Sequence, residues 1–252
     1  MSKSIKYAIP NALTAMNLFC GVAGIIIALH FSMLTIACYL MFVASFFDLL
    51  DGLAARLLNA PSKIGKELDS LSDMVSFGVL PGVLMFKLMY GANATKMSSL
   101  LLFGGSDQYL LFIPIIAIII PIAASFRLAK FNIEEQQLSV FTGLSSPGAA
   151  YFIAAIVLNS RTLPLLQSMD LIVAFAILAI ISILLSLLML SKIKFLTLKF
   201  KSFSIKNNYI TYIFALCSIL LVVLLGFNDS LIWMILIYML ISIIFANKKF
   251  KK

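Results

Sequence analysis

The sequence predicts an all-α fold, a polytopic membrane bundle of about eight transmembrane helices. Two observations carry this prediction. The 252 residues are 62% hydrophobic and only 12% charged, and the mean hydropathy is +1.10, values too apolar for a water-soluble domain. Because one span needs about 20 apolar residues, the chain has room for roughly eight spans and for no sizeable soluble domain.

Eight apolar segments separated by short polar connections are the predicted helices. The first is too long for a cleavable signal sequence, and Asn17 interrupts it. The third begins with carboxylates, and the fifth is short enough that a complete crossing is left open. The segments cover residues 12–30, 33–57, 67–90, 108–130, 147–160, 170–190, 209–227 and 230–246.

The distribution of Lys and Arg predicts the orientation of this bundle. With both termini on one side, that side holds 16 of the 19 basic residues, and the other side holds only Lys87, Lys96 and Arg161. Cytoplasmic loops of membrane proteins carry such an excess. We therefore expect both termini at the cytoplasmic face of a bacterial-type inner membrane. In a chain this apolar, the net charge of +9 indicates attraction to anionic lipid headgroups rather than to nucleic acid, which is not expected as a partner.

Candidate chemistry is concentrated where the second and third segments meet. Half of the ten acidic residues lie there, although carboxylates near a hydrocarbon boundary are costly. Each helix contributes a pair spaced to share one face, so adjacent antiparallel helices would bring four carboxylates together. Hard oxygen donors without His or Cys favour Mg²⁺ or Mn²⁺, and a pair of ions fits the number of ligands. The predicted ligands are Asp48, Asp51, Asp69 and Asp73.

Residues between the two pairs suit a phosphate-bearing substrate. Gly52 and Ala55 remove side-chain bulk beside the carboxylates, and Arg56 offers a fork of donors that fits phosphate. A divalent-cation transporter is the alternative from a different class, with the same carboxylates as its ion site. It is disfavoured because Arg56 would repel the transported cation.

The complete pattern resembles the signature of the CDP-alcohol phosphotransferase family. The sequence reads Asp-x-x-Asp-Gly-x-x-Ala-Arg from residue 48, followed after eight residues by Gly65-x-x-x-Asp69-x-x-x-Asp73. All eight fixed positions of that signature are present. The resemblance implies an enzyme with two divalent metals on the aspartates and Asp73 as the general base. It also implies that Gly52, Ala55, Arg56 and Gly65 bind the CDP-linked lipid.

Other segments resemble the members of this family that use serine as the acceptor. They are the stretch from Asp69 to Pro81, the stretch 126–132 (FRLAKFN) and the stretch 141–147 (FTGLSSP). The resemblance implies transfer of a phosphatidyl group from CDP-diacylglycerol to L-serine, with release of CMP, and a homodimer. Other family members, which use glycerol 3-phosphate or inositol phosphate, remain the alternative.

Further contacts implied by the resemblance each have a purely structural alternative. Arg127 is expected to grip the serine carboxylate, but an arginine at a helix end can also snorkel to the interface. Lys130 and Asn132 are expected beside it, although Asn132 could cap the helix. Asn11 and Thr14 are expected near the nucleotide, although both could serve as local caps.

The expected organisation is one membrane-embedded domain over residues 1–252. Residues 1–160 would form the catalytic core with the signature, and residues 161–252 would add further transmembrane helices. The expected partners are CDP-diacylglycerol, L-serine, the lipid bilayer and a second copy of the chain.

Overall fold

The computed structural model describes residues 3–92, 108–133, 140–196 and 205–249. Within these ranges the chain is almost entirely helical, as predicted. Two π-helical turns, Ile27–Phe31 and Val75–Val79, and a 3₁₀ stretch, Gln108–Ile118, extend or join the α-helices. The α-helices are α1 (Lys3–Ile26), α2 (Leu34–Leu57), α3 (Lys63–Met74), α4 (Leu80–Ala92), α5 (Ile119–Ile133), α6 (Ser146–Leu158), α7 (Thr162–Ser168), α8 (Leu171–Leu190), α9 (Ile205–Leu225) and α10 (Phe227–Lys249).

Five helical stretches are long and apolar enough to cross a membrane. A sixth crossing results if α6 and α7, which meet at a bend of 69°, form one broken span. The last two helices contribute shorter apolar stretches, Tyr212–Leu225 and Phe227–Ser242. The described residues therefore form a membrane protein with five or six candidate spans. The expected count of about eight stays a prediction. The five long stretches are Lys6–Phe31, Leu34–Leu57, Lys63–Gly91, Phe112–Ile133 and Leu171–Leu190.

One small departure from the all-α prediction lies between α5 and α9. The three-residue strands β1 (Val140–Thr142) and β2 (Lys194–Leu196) pair antiparallel, with Phe141 opposite Phe195. Gly143 follows β1 with a φ of 77°, and its N–H donates to Ile193 O over 2.8 Å. A glycine adopts this left-handed conformation at little cost, so the chain can turn from the strand into α6.

Close helix packing sets the position of the third span. At Gly24 of α1, an added Cβ would lie 2.8 Å from Leu80 Cδ2 at the start of α4. The π-helical turn between α3 and α4 is buried at Ser76, Phe77 and Gly78. Such turns change the helix register locally and are frequent at functional sites. This turn begins two residues after Asp73 and packs directly on α1.

A glycine also governs the packing of α4 on α5. A Cβ at Gly82 would lie 2.8 Å from Cδ of Pro121, whose ring cannot rotate away. We expect Gly82→Ala to cost about 1–3 kcal/mol through overpacking and to lower the melting temperature in detergent. Gly91→Ala is the matched control, because no described atom lies within 4 Å of the new methyl group. Equal melting temperatures for the two variants would show that α4 and α5 do not pack this closely.

Candidate active site

The short connection between α2 and α3 brings the two carboxylate pairs together. Three of the four predicted ligands, Asp48, Asp51 and Asp69, each place one carboxylate oxygen within 4.8 Å of the other two. Asp51 is only 6% exposed, and the other two are partly buried. Like charges this close repel strongly away from bulk water, so the arrangement favours a bound cation.

The turn before α3 fixes this geometry locally. Ser62 caps α3 by accepting a hydrogen bond from Gly65 N over 2.9 Å. A Cβ at Gly65 would lie 2.9 Å from Ser62 Oγ and 3.1 Å from Asn11 Oδ1. The glycine therefore lets α1 approach the start of α3. Asn11, expected near the nucleotide, lies beside this turn.

Asp73 lies one helical turn after Asp69 and has a partner of its own. Its Oδ1 accepts a hydrogen bond from Asn17 Nδ2 of α1 over 3.1 Å. Asn17 is completely buried. In the sequence, Asn17 is recognisable only as a polar interruption of an apolar segment. Its position one turn after Thr14 was the signal that could have placed it on the face toward the site.

Thr14 also contacts the carboxylates. Its Oγ1 lies 2.6 Å from Asp51 Oδ2 and 3.0 Å from Pro10 O. A hydroxyl has one proton, and the carboxylate is the stronger acceptor, so we assign the short bond to Asp51. Thr14 thus contacts a predicted metal ligand in this structure.

The donor set suits a divalent metal. Asp69 Oδ1 is buried and has no hydrogen-bond partner among the described residues, which leaves it available as a ligand. The converging donors are carboxylate oxygens, which suit Mg²⁺ or Mn²⁺ better than softer metals. Asp48, Asp51 and Asp69 could hold the first ion, and Asp73 borders the same cluster.

The side of the cluster near the end of α2 is open. A Cβ at Gly52 would meet only Arg56 Nη2, at 4.0 Å, among the described atoms. Arg56 is exposed, and its Nε donates to Gly52 O over 2.9 Å, which leaves the outer guanidinium nitrogens for a ligand. Ala55 lies on the same turn and is half-buried. These residues leave room for an anionic group beside the carboxylates.

A second cationic group approaches the cluster from α5. Arg127 Nη1 donates to Ser146 Oγ at the start of α6 over 3.1 Å. Its Nε is buried without a hydrogen-bond partner among the described residues, and its charge interacts with Asp73. Arg127 is therefore turned into the protein, and the snorkelling alternative does not describe this conformation.

The other two expected serine contacts lie farther along α5. Asn132 is half-buried, and its Nδ2 donates to Ser70 Oγ over 2.8 Å. Lys66 Nζ donates to Asn132 O over 3.3 Å, so Asn132 connects α5 with α3. Lys130 is exposed. Arg127 thus interacts with Asp73, whereas Asn132 bonds to Ser70 on α3.

A tyrosine that was not predicted from the sequence also lies next to the cluster. The Tyr151 hydroxyl of α6 forms a short hydrogen bond with Ser45 Oγ, one turn before Asp48. The hydroxyl lies within electrostatic range of Asp48 and Asp73, and the ring contacts Phe42 and Phe77. No sequence pattern indicated this residue, because a tyrosine in an apolar segment is ordinary packing.

The chain is similar to a family of known proteins over most of its length. The model of the CDP-alcohol phosphatidyltransferase family matches residues 7–188. The chain is 36% identical over 188 residues to the CDP-diacylglycerol–serine O-phosphatidyltransferase of Bacillus subtilis (strain 168), covering 74% of this chain and 89% of that one. It is 32% identical over 236 residues to the protein of the same name from Methanocaldococcus jannaschii, and the match covers 94% of this chain and 92% of that one. It is also 30% identical to the protein of that name from Helicobacter pylori (strain 26695), and the match covers 82% of this chain and 80% of that one.

Replacing one carboxylate should separate metal binding from folding. We expect Asp69→Asn to weaken Mn²⁺ binding by roughly tenfold or more, because affinity follows the charge of the ligands. The metal-free variant should melt no lower than the parent, since the substitution removes repulsion. Calorimetric titration with Mn²⁺ and thermal melts measure both. Glu67→Gln, on the exposed face of α3, is the control, and equal Mn²⁺ affinities in the two variants would reject this metal site.

Proposed function

The chain belongs to the CDP-alcohol phosphatidyltransferase family, and on that premise we propose that it is a phosphatidylserine synthase. It transfers the phosphatidyl group from CDP-diacylglycerol to the hydroxyl of L-serine and releases CMP. The observation that carries the proposal is the convergence of Asp48, Asp51 and Asp69 at the place where the family signature lies. Relatives named for this reaction, which match most of the chain, support serine as the acceptor.

The donor substrate would lie along the open side of the cluster. We propose that Asp48, Asp51, Asp69 and Asp73 hold two divalent ions, Mg²⁺ or Mn²⁺, which when bound would neutralise the diphosphate and the charge that develops on phosphorus. Arg56 binds a phosphate oxygen from the same side, where Gly52 and Ala55 leave room. Asn11, Thr14 and Gly65 border the region proposed for the nucleotide. Asn11 lies at the α3 cap, and Thr14 lies on Asp51.

The acceptor would enter between Asp73 and Arg127. The serine hydroxyl oxygen attacks the phosphorus that bears diacylglycerol, its proton passes to Asp73, and the phosphorus–oxygen bond to CMP breaks. Arg127 binds the serine carboxylate, with Lys130 and Asn132 toward the end of α5. Since one displacement accounts for the transfer, no covalent intermediate with the protein is needed.

CMP release decides the acceptor. Purified protein is incubated with CDP-diacylglycerol and Mg²⁺ or Mn²⁺, and separately with serine, glycerol 3-phosphate or inositol phosphate. The proposal requires CMP release that depends on serine and on the divalent ion. Release that depends only on glycerol 3-phosphate or inositol phosphate would keep the family chemistry and reject serine as the acceptor.

The homodimer and the arrangement of the spans are proposed from the sequence and from its resemblance to the family. Many large apolar side chains of the spans are exposed, among them Phe19, Phe46 and Ile172, as expected for surfaces that face lipid. The enzyme works as a homodimer in the membrane. Residues 1–160 form the catalytic core, and residues 161–252 add the remaining helices of the eight-span arrangement.

The proposed orientation places both termini and the α2–α3 turn at the cytoplasmic face. In a cysteine-free background, Lys63→Cys should react with a membrane-impermeant thiol reagent only after the cells are opened, because most Lys and Arg residues lie on that side. Arg161→Cys should react in intact cells. Both residues are exposed, so access to the reagent depends on topology. The reverse labelling pattern would overturn the orientation.

The acceptor contact can be tested at Arg127. If it binds the serine carboxylate, Arg127→Ala should raise the KM for serine roughly tenfold to hundredfold, because a charge-assisted hydrogen bond contributes about 1.5–3 kcal/mol. The KM for CDP-diacylglycerol should change far less.

Ethanolamine and a second arginine serve as controls for this assignment. Ethanolamine keeps the hydroxyl and amine of serine but lacks the carboxylate, so it should be a poor acceptor for the parent and gain relative to serine in Arg127→Ala. Arg161→Ala removes an exposed arginine from the opposite side and should leave both KM values unchanged. Equal changes in the two KM values in Arg127→Ala would reject the carboxylate contact.

A further inference from the structure

Asn17 has a costly position that the proposed reaction does not yet explain. The side chain is 0% exposed and lies in the middle of the apolar helix α1. Its Nδ2 donates to Asp73 Oδ1, but its Oδ1 is buried without a partner among the described residues. An unsatisfied amide oxygen in an apolar environment costs about 1–3 kcal/mol. The contact of Asn17 with Asp73 is therefore made at the expense of stability.

The surroundings of Asn17 hold its amide against Asp73. Ser76, in the π-helical turn after α3, donates its hydroxyl to the backbone oxygen of Asn17 over 3.1 Å. Gly21, one turn after Asn17, packs on Ser76 so closely that a Cβ would collide with the Ser76 hydroxyl. The backbone of α1 is thus fixed next to the turn that follows Asp73. The Asn17 side chain therefore starts from a fixed backbone position beside this turn.

We propose that Asn17 is a positioning residue for the general base. This inference rests on the proposed function. Asn17 donates to one lone pair of Asp73 Oδ1, which leaves the other lone pair for a metal ion, and holds the carboxylate in one rotamer, so that Oδ2 faces the acceptor. In the transfer step the O–H bond of the serine hydroxyl breaks, and the proton passes to Oδ2. The hydroxyl oxygen forms its bond to phosphorus in this same step, as the bond to CMP breaks. Asn17 itself neither gains nor loses a proton.

A packing role alone does not account for these contacts. Gly21 and Gly24 already allow α1 to contact the third span closely, and an apolar residue at position 17 would satisfy the packing without an orphan oxygen. Thr14, one turn earlier, makes the equivalent bond to Asp51. One helix therefore supplies separate donors to a predicted metal ligand and to the predicted base. Outer hydrogen bonds of this kind typically change activity or metal affinity by about 10–100-fold.

Two variants test the proposal. Asn17→Leu keeps the branched shape and removes the donor, and Asn17→Ala removes the whole amide. We expect Asn17→Leu to melt close to the parent, because the loss of the unsatisfied amide oxygen offsets the loss of the donor to Asp73, and Asn17→Ala to melt lower, because it also leaves a cavity. We expect kcat for serine-dependent CMP release to fall about 10–100-fold, with little change in the KM for CDP-diacylglycerol. Thermal protection by CDP-diacylglycerol with Mg²⁺, a readout independent of turnover, should be retained.

The solvent deuterium isotope effect on kcat gives a further readout that packing would not change. If proton transfer to Asp73 is the impaired step, this step becomes more rate-limiting, and the isotope effect should rise in both variants. Ser182→Ala is the matched control. Ser182 is also 0% exposed, but its hydroxyl bonds only to Leu178 O of its own helix in the described structure, so kcat should be unchanged.

The remaining outcomes separate this inference from the proposed function. Wild-type kcat in a folded Asn17→Leu or Asn17→Ala protein would overturn the positioning role. So would a loss of activity that accompanies equal loss of CDP-diacylglycerol binding, or failure of both variants to fold. If the parent itself releases no CMP with serine, the proposed function fails instead. The variants are then compared with the acceptor that does support CMP release, and the same fall in kcat is expected.

Discussion

Repulsion among carboxylates is the constraint on which the rest of this structure depends. Oxygens of Asp48, Asp51 and Asp69 lie within 4.8 Å of one another at the junction of two candidate spans, where solvent screens charge poorly. The fully ionised form of such a cluster persists only if cations and hydrogen-bond donors offset the repulsion. The neighbouring features supply both, because Thr14 and Asn17 donate from α1 and Arg127 approaches from α5.

The two sides of the cluster differ in ways that match a two-substrate transfer. Near the end of α2, Gly52 and Arg56 leave an exposed space suited to a diphosphate. Near α5 and α6, Arg127 and Ser146 form a partly buried polar pair, and Arg127 interacts with Asp73, an arrangement that suits a small zwitterionic acceptor. Asp73 interacts with Asp48 and Asp69 on the first side and with Arg127 on the second, and the base role proposed for it requires such a position.

Local spacing predicted much of this site, but contacts between distant segments did not follow from it. The i, i+3 and i, i+4 spacings placed each aspartate pair on one helix face, and hydropathy located the main spans within a few residues. The contact of Asn17 with Asp73 joins residues 56 positions apart, and that of Ser45 with Tyr151 joins residues 106 apart. Both depend on helix packing, which periodicity does not specify. The β1–β2 pair was missed because three-residue strands are too short for a period-2 pattern.

The central claim is that the carboxylate cluster is a divalent-metal centre, and anomalous diffraction from crystals grown with Mn²⁺ tests it most directly. The account predicts manganese scattering between α2 and α3, bounded by Asp48, Asp51 and Asp69, with Asn17 still hydrogen-bonded to Asp73. An ordered site with no anomalous peak there, or manganese bound only elsewhere in the protein, would contradict the account.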